Sequence, residues 1–334
     1  MRSAGAPPAA RLYTVLGVAV VAVSMAAIFI RLADAPGVVV ALYRMAIASL
    51  VMLPITVRGL RRTPIRGRAL GWTVLAGLAL AVHFAAWITS LGFTSVAASV
   101  TLVATSPLWA ALFAWLFLGF APPLGVMVGV LLAVGGAAVI GFGDLTGGSA
   151  PLLGDALALL GAAAAAAYLL LGRAVQRSGV GLDAYAGSAY GVAALLLLPL
   201  PLLLGHAYVE YPLESFGWIA LLALVPQLVG HTGLNYAARH LDPTLVTTAT
   251  LLEPVGSGIL ALALFGEVPG AMTLVGAVIL LTGVVLTVRS TSGRVAPASG
   301  AVVREPAEPL PPGAVPPPQR DADGGASSAP DARR

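Results

Sequence analysis

The chain has 334 residues, 58% hydrophobic and 10% charged, and its mean hydropathy is +0.94. A soluble domain carries about 25% charged residues, so this composition excludes an ordinary globular protein and points to a bilayer as the solvent. The chain has no cysteine, which excludes disulfides, thiolate catalysis and cysteine-based metal sites. All 18 basic residues are arginine, and the net charge is +4. These arginines fall between apolar runs and near the C-terminus rather than on one face of a soluble domain, so nucleic acid is excluded as a partner. The wealth of Ala, Gly, Pro and Arg suits a GC-rich bacterial genome, and hence a bacterial cytoplasmic membrane.

Apolar runs near twenty residues recur from 12 to 288. Each is long enough to cross about 30 Å of hydrocarbon at about 1.5 Å per residue. The first, 12–30, follows Arg2 and Arg11 and contains the small residues Ser24, Ala26 and Ala27. It is too long for a secretory signal core and no soluble domain follows it, so it reads as a membrane span. The spans after it are 38–57, 70–91, 95–118 and 123–142, then 151–172, 184–204, 217–237, 243–265 and 270–288. The longer connections are 58–69, 143–150 and 206–216. Beyond 289 the chain turns to Pro311-Pro312, Pro316-Pro317-Pro318 and mixed small and charged residues, which cannot bury enough apolar surface to fold. That segment reads as a disordered cytoplasmic tail, with a partner-binding polyproline segment as the lesser reading.

Arginine bias sets the orientation. With the N-terminus inside, the cytoplasmic side holds Arg2, Arg11, Arg58, Arg61, Arg62, Arg66, Arg68, Arg173, Arg177, Arg239 and the tail. The outside then holds Arg31 with Asp34, Asp144, Glu210, Glu214 and Glu267. Both termini are therefore expected in the cytoplasm.

Thr105-Ser106-Pro107-Leu108 lies in the fourth span and Leu252-Glu253-Pro254-Val255 in the ninth, the prolines 147 positions apart. The same offset takes Leu118-Gly119 to Phe265-Gly266, Gly129 to Gly276, Gly136 to Gly283 and Tyr43 to Tyr190. The chain reads as a tandem duplication. Each copy has five spans, an odd number, so the second copy enters the membrane inverted. Inverted repeats are the usual architecture of carriers, with the site between the repeats where helices are interrupted. The expected organisation is an N-terminus over 1–11, a first repeat over 12–142, a linker over 143–150, a second repeat over 151–288 and a tail over 289–334. The expected fold is all-α integral membrane, with ten transmembrane helices as two inverted five-helix repeats.

Ser90-Leu91-Gly92-Phe93-Thr94-Ser95 before Thr105-Ser106-Pro107, and Asn235-Tyr236-Ala237-Ala238 before Leu252-Glu253-Pro254 and Gly266-Glu267, resemble the EamA repeat of the drug/metabolite transporter superfamily. The likeness covers roughly 12–288 and rests on the order, spacing and duplication of motifs that are individually degenerate. It implies a transporter of amino acids, metabolites or toxic compounds, driven by an ion gradient or by exchange. The first copy departs from the pattern: where the second has Gly266-Glu267 it reads Gly119-Phe120.

Glu253 lies near the centre of its predicted span, where an ionised side chain costs at least roughly 2.5–3.5 kcal/mol. It reads either as a proton-titrating or amine-binding carboxylate, or as a structural cap on the turn broken by Pro254. Arg44 either binds a substrate carboxylate, pairs with Glu253, or snorkels to headgroups. Gln227, His231 and Asn235 recur every fourth residue and share a helix face, as do His83 and Trp87. Polar residues so aligned face the bundle, either lining a pocket or bonding between helices. Tyr43, Tyr168, Tyr190 and Tyr236 are read first as packing or interfacial residues and second as groups that offer a hydroxyl or ring to a substrate, with Tyr43 the one counted in the site. Ser106, Pro107 and Pro254 mark the helix breaks at the site.

Metal ligation by the histidines is not supported, because no carboxylate or second histidine stands at ligand spacing. No loop ends in Gly-Lys-Ser/Thr, so no ATP-hydrolysing P-loop is expected, and no cofactor is indicated. Gly141-Phe142-Gly143-Asp144 lacks the strand and third glycine of a dinucleotide loop. Gly125 and Gly129 form a small-xxx-small pair, read as internal packing ahead of a dimer interface. The implied partners are a small-molecule substrate, a proton or other ion, and the lipid bilayer. The rival readings are an intramembrane enzyme or lipid-handling protein, which needs clustered acid/base or metal residues, and a channel, which needs a ring of matched polar groups. A secondary transporter, exporting by alternating access, fits the pattern better than either.

Overall fold

A computed structural model describes residues 8–118, 123–143, 149–238, 241, 246 and 249–292, and every regular element among them is a helix. In chain order these are α1 (Ala9–Ser24), α2 (Ala26–Leu32), α3 (Gly37–Arg62), α4 (Arg68–Ser90), α5 (Val96–Val103), α6 (Ser106–Leu118), α7 (Leu124–Gly143) and α8 (Pro151–Arg177). There follow α9 (Leu182–Leu197), α10 (Leu200–Leu203), α11 (Leu213–Leu222), a π-helical stretch Ala223–His231, α12 (Thr232–Ala238), α13 (Leu252–Phe265) and α14 (Ala271–Ser292). Eight helical runs among the described residues are long and apolar enough to cross a membrane, and the shorter apolar stretches Leu124–Ile140 and Leu252–Phe265 stand in the expected fifth and ninth places. Leu50 on α3, Leu131 on α7 and Val278 on α14 are exposed. An outer surface this apolar is stable only against lipid, and helices are the form in which lipid-facing backbone satisfies its own hydrogen bonds. The chain is an all-α, multi-pass membrane protein.

The helices depart from the sequence reading where they are interrupted. The predicted first span is broken at Met25, between α1 and α2. The carbonyl of Ser24, released by that break, accepts from the hydroxyl of Ser257 on α13 at 2.8 Å. In the fourth path α5 stops at Val103 and α6 starts at Ser106. A continuous helix would bond the Val103 carbonyl to the N–H of residue 107, which proline lacks. The Ser106 hydroxyl takes that carbonyl instead, at 2.9 Å, and the Thr105 hydroxyl takes Leu102 O at 2.6 Å. In the ninth path Leu251 is a turn and α13 starts at Leu252. Glu253 and Pro254 thus stand in the first turn of a helix rather than mid-helix as expected. A missing proline N–H costs little there, because first-turn N–H groups have no partner within the helix.

Two further boundaries move. The connection expected over 58–69 shortens, because α3 runs on to Arg62 and α4 begins at Arg68. The last helix continues to Ser292, past the expected tail boundary at 289. The tail beyond it, Asp144, Arg239, Gly119-Phe120 and most of 239–248 lie outside the described residues.

The most extensive packing joins α7 to α14, then α4 to α8 and α3 to α9; α1 packs on the π stretch and α12, and α5 on α13. Close approach of α7 and α14 depends on glycine. A Cβ on Gly136 would lie 2.7 Å from Gly276 O, and one on Gly276 would lie 2.7 Å from Gly136 O. Gly125 and Gly129 likewise face Ser290 and Gly283 of α14, so this small-residue pair packs inside the molecule. The core joining α2, α3, α4 and α9 is built from residues such as Phe29, Met45, Phe84 and Leu197.

Candidate functional site

Arg44 on α3 is 0% exposed. Its guanidinium retains its proton under physiological conditions, so α3 carries a positive charge into the interior of an apolar bundle. The Gln227 side chain, on the π stretch, answers it with one oxygen: Arg44 Nε and Nη2 donate to Oε1 at 3.0 and 2.7 Å. The guanidinium carbon lies 4.1 Å from the ring centroid of Phe84 and 5.9 Å from that of Trp87, both on α4. A desolvated cation–π contact of this kind is worth about 2 kcal/mol. The wide π turn coincides with Pro226, which removes a backbone donor inside the helix; such turns occur frequently at functional sites.

These contacts leave the charge unneutralised. Among the described residues no carboxylate oxygen lies within 4.0 Å of the Arg44 guanidinium; the ion pair there joins Arg31 and Glu267 instead. Burial excludes the headgroup-snorkelling reading, and direct pairing with Glu253 is not formed. Arg44 Nη1 and Trp87 Nε1 are both buried with no hydrogen-bond acceptor among the described residues. A buried donor left unpaired costs about 1–3 kcal/mol, more when charged. One of these donors belongs to the guanidinium itself and the other to the Trp87 ring beside it.

The surrounding groups come from α4 and the π stretch again and from three further helices, α8, α9 and α13. His83 on α4 bonds through Nδ1 to Gly161 O of α8 at 2.8 Å. A carbonyl can only accept, so Nδ1 carries the proton. His83 also stacks on Trp87 at 5.9 Å and 10°. His231, partly accessible, lies within electrostatic reach of Arg44 and His83. Gln227 and His231 therefore face the same centre despite the altered turn. Glu253 at the head of α13 lies deep among neighbouring atoms, close enough to Arg44 for their charges to interact, and keeps part of its side chain accessible. Tyr190 on α9 faces Gln227, Tyr168 and Arg44.

The structure brings together Arg44, Trp87, His83, Gln227, His231 and Glu253. It sets Tyr43 apart: its hydroxyl donates to Tyr208 O at 3.1 Å and its ring packs edge-on against Phe216 at 5.4 Å. Ser106 and Pro107 lie at the break between α5 and α6, and Pro254 beside Glu253. The side chain of Asn235 lies outside the described residues. Sequence reasoning missed Phe84, which carries no polar signal, and Asp155. Asp155 is buried at the start of α8 and accepts from the Thr94 hydroxyl at 2.9 Å. An acid this close to the head of a predicted span was the available signal. Among the described residues no three His, Asp or Glu side chains stand close enough together to hold a metal ion.

Fold and site together define an all-helical multi-pass membrane protein with a polar centre around Arg44. The EamA-like transporter family model matches residues 10–142 and again 152–289, and the chain belongs to that family. It is 30% identical over 194 residues to a probable terminal-alkyne amino-acid exporter of Streptantibioticus cattleyicolor, a match covering 58% of this chain and 64% of that protein. The match thus spans less than two thirds of the relative's length. A protein of solved crystal structure shares the fold, with a TM-score of 0.57 at 18% identity, over 83% of this chain and 96% of the other.

Proposed function

We propose that the protein is a secondary transporter that exports a small amino acid or related metabolite across the cytoplasmic membrane by alternating access. The observation that carries this reading is a pair of buried donors with no acceptor among the described residues, Arg44 Nη1 of the guanidinium and Trp87 Nε1 of the ring beside it. A substrate carboxylate supplies the acceptor oxygens and the missing negative charge. Glu253, across the same centre, suits a substrate ammonium or a coupling proton. Family membership and the name of the amino-acid exporter relative point the same way.

Ten spans in two inverted repeats, 12–142 and 151–288, supply the moving parts. The helix packing supports this. Exchanging each span with the one five places on turns the pairing of spans one and eight into that of six and three, and leaves two–seven, four–nine and five–ten unchanged. The helix interruptions at Ala104 and Leu251 are also 147 positions apart, the offset of the two prolines. Arginine bias puts both termini in the cytoplasm, and coupling runs through Glu253 by proton movement or through exchange.

The test is counterflow in proteoliposomes. Vesicles preloaded with unlabelled short-chain amino acids, one at a time, should take up trace label with a transient overshoot that saturates. Folded protein giving no overshoot with any of them would reject this substrate class, and a linear, non-saturating flux would indicate a channel.

A further inference from the structure

At one end of the bundle a charged network ties the expected repeats together. Arg31, in the last turn of α2, lies 3.7 Å through Nη1 from Glu267 Oε2 and donates through Nη2 to Thr94 O at 2.9 Å. The other oxygen of Glu267 accepts from the Val96 N–H, at the start of α5, at 2.6 Å. Thr94 in turn donates to Asp155 of α8. Local backbone fixes where Glu267 stands. Gly266 takes a left-handed conformation, φ 66°, after α13, while Gly266 N bonds Leu262 O at 3.1 Å and Glu267 N bonds Ala261 O at 3.3 Å. This helix-ending turn presents the carboxylate to the N-terminal end of α5, where backbone N–H groups favour a negative charge.

Three of these links, Arg31–Glu267, Val96–Glu267 and Thr94–Asp155, join residues of 12–142 to residues of 151–288. At the repeat offset the acids have no acidic counterparts. Glu267 corresponds to Phe120 and Asp155 to Pro8. Among the described residues the opposite end has a neutral link between the expected repeats, Gly181 N–H to the Thr63 hydroxyl at 3.0 Å. Arg31 and Glu267 are 32% and 19% exposed, so neither of these two charges is deeply desolvated and their ion pair can open without stranding a buried ion.

We propose that Arg31, Glu267 and Asp155 form a one-sided latch that holds the transport path shut on their face, so that opening there is slower than opening on the other. On the arginine-bias orientation this is the outer face, where an exporter releases its cargo. The proposal rests on the alternating-access reading, and its test needs no substrate.

A single cysteine, Ala104→Cys, placed at the helix interruption of the naturally cysteine-free chain, would be labelled in proteoliposomes with a membrane-impermeant maleimide applied from each face. Glu267→Gln keeps the side-chain shape and an acceptor for Val96 but removes the charge. It should raise the labelling rate from the latch face by roughly fivefold, as expected for a lost part-buried ion pair with a charge-assisted bond, and lower it from the opposite face. Arg31→Gln should do the same, and the double variant should gain no more than either single, because the two act as one unit. Asp155→Asn reads the second arm, and decides the matter if Glu267→Gln does not fold. Unchanged rates from the latch face in the folded variants, or equal acceleration from both faces, would overturn the latch. Failure of counterflow with these rate changes intact would reject the amino-acid substrate class and leave the latch standing.

Discussion

Arg44 and Gln227, 183 residues apart, meet with two donors of the guanidinium on a single amide oxygen, at 3.0 and 2.7 Å. The acceptor is neutral, so the contact fixes the arginine without cancelling its charge. Replacing Gln227 by Leu leaves that charge with no hydrogen bond in the bundle and should cost about 3 kcal/mol, seen as a lower unfolding midpoint in detergent. Gln227→Glu should behave in the opposite way. It neutralises Arg44 from within, so stability should be kept or raised while carboxylate binding is lost. A Gln227→Glu protein that still exchanges amino acids would mean that Arg44 does not receive the substrate anion.

Trp87→Phe removes one unpaired donor and keeps a ring beside the guanidinium. Stability should change by less than about 1 kcal/mol, while the half-saturation concentration for a carboxylate substrate should rise by roughly fivefold to thirtyfold, the effect of about 1–2 kcal/mol. Counterflow titration measures it.

Much of the fold was legible in the sequence because lipid demands long apolar runs, and Pro107 and Pro254, read as helix breaks 147 positions apart, each stand three residues past a helix interruption, at Ala104 and Leu251. What escaped was local. The break at Met25 has no proline or glycine to announce it, and its carbonyl is taken by Ser257, 233 positions away. The π turn at Ala223–His231 and the stacking of Phe84 under Arg44 also depend on tertiary contacts. Tyr43 and Tyr190 stand 147 positions apart, the offset expected of a repeat, yet Tyr43 bonds a loop carbonyl and Tyr190 faces the centre. Repeat equivalence gives place in the helix and does not give the neighbours.

The packing of α7 on α14 makes a stability prediction. Gly276→Val introduces carbon where Gly136 O already stands at 2.7 Å from a Cβ. Relief requires moving two backbones, so the loss should be about 2–3 kcal/mol, read from thermal unfolding. Gly71→Ala, where a Cβ meets nothing within 4 Å, is the control and should be near neutral.

Topology has its own check. Reporter fusions after Arg68, Arg177 and Arg289 should report cytoplasm, and those after Asp144 and Glu214 the outside. An external signal at Arg289 would refute both the ten-span count and the inverted repeat.

Glu253→Gln fixes a neutral side chain at the head of α13. If Glu253 carries the coupling proton, this variant should lose accumulation driven by a pH gradient and keep substrate exchange, which needs no net proton movement. An unchanged pH profile would make the residue structural.

The most direct test of a central path between the two interrupted helices is a cysteine scan, clean because the chain has no native cysteine. Single cysteines at 104–108 and 251–255 would be exposed to a polar thiol reagent with and without the amino acid that gives counterflow. Reaction should follow one helical face in both stretches, with substrate protecting both. Uniform inaccessibility, or reaction that substrate leaves unchanged, would contradict the account and make the paired breaks packing features.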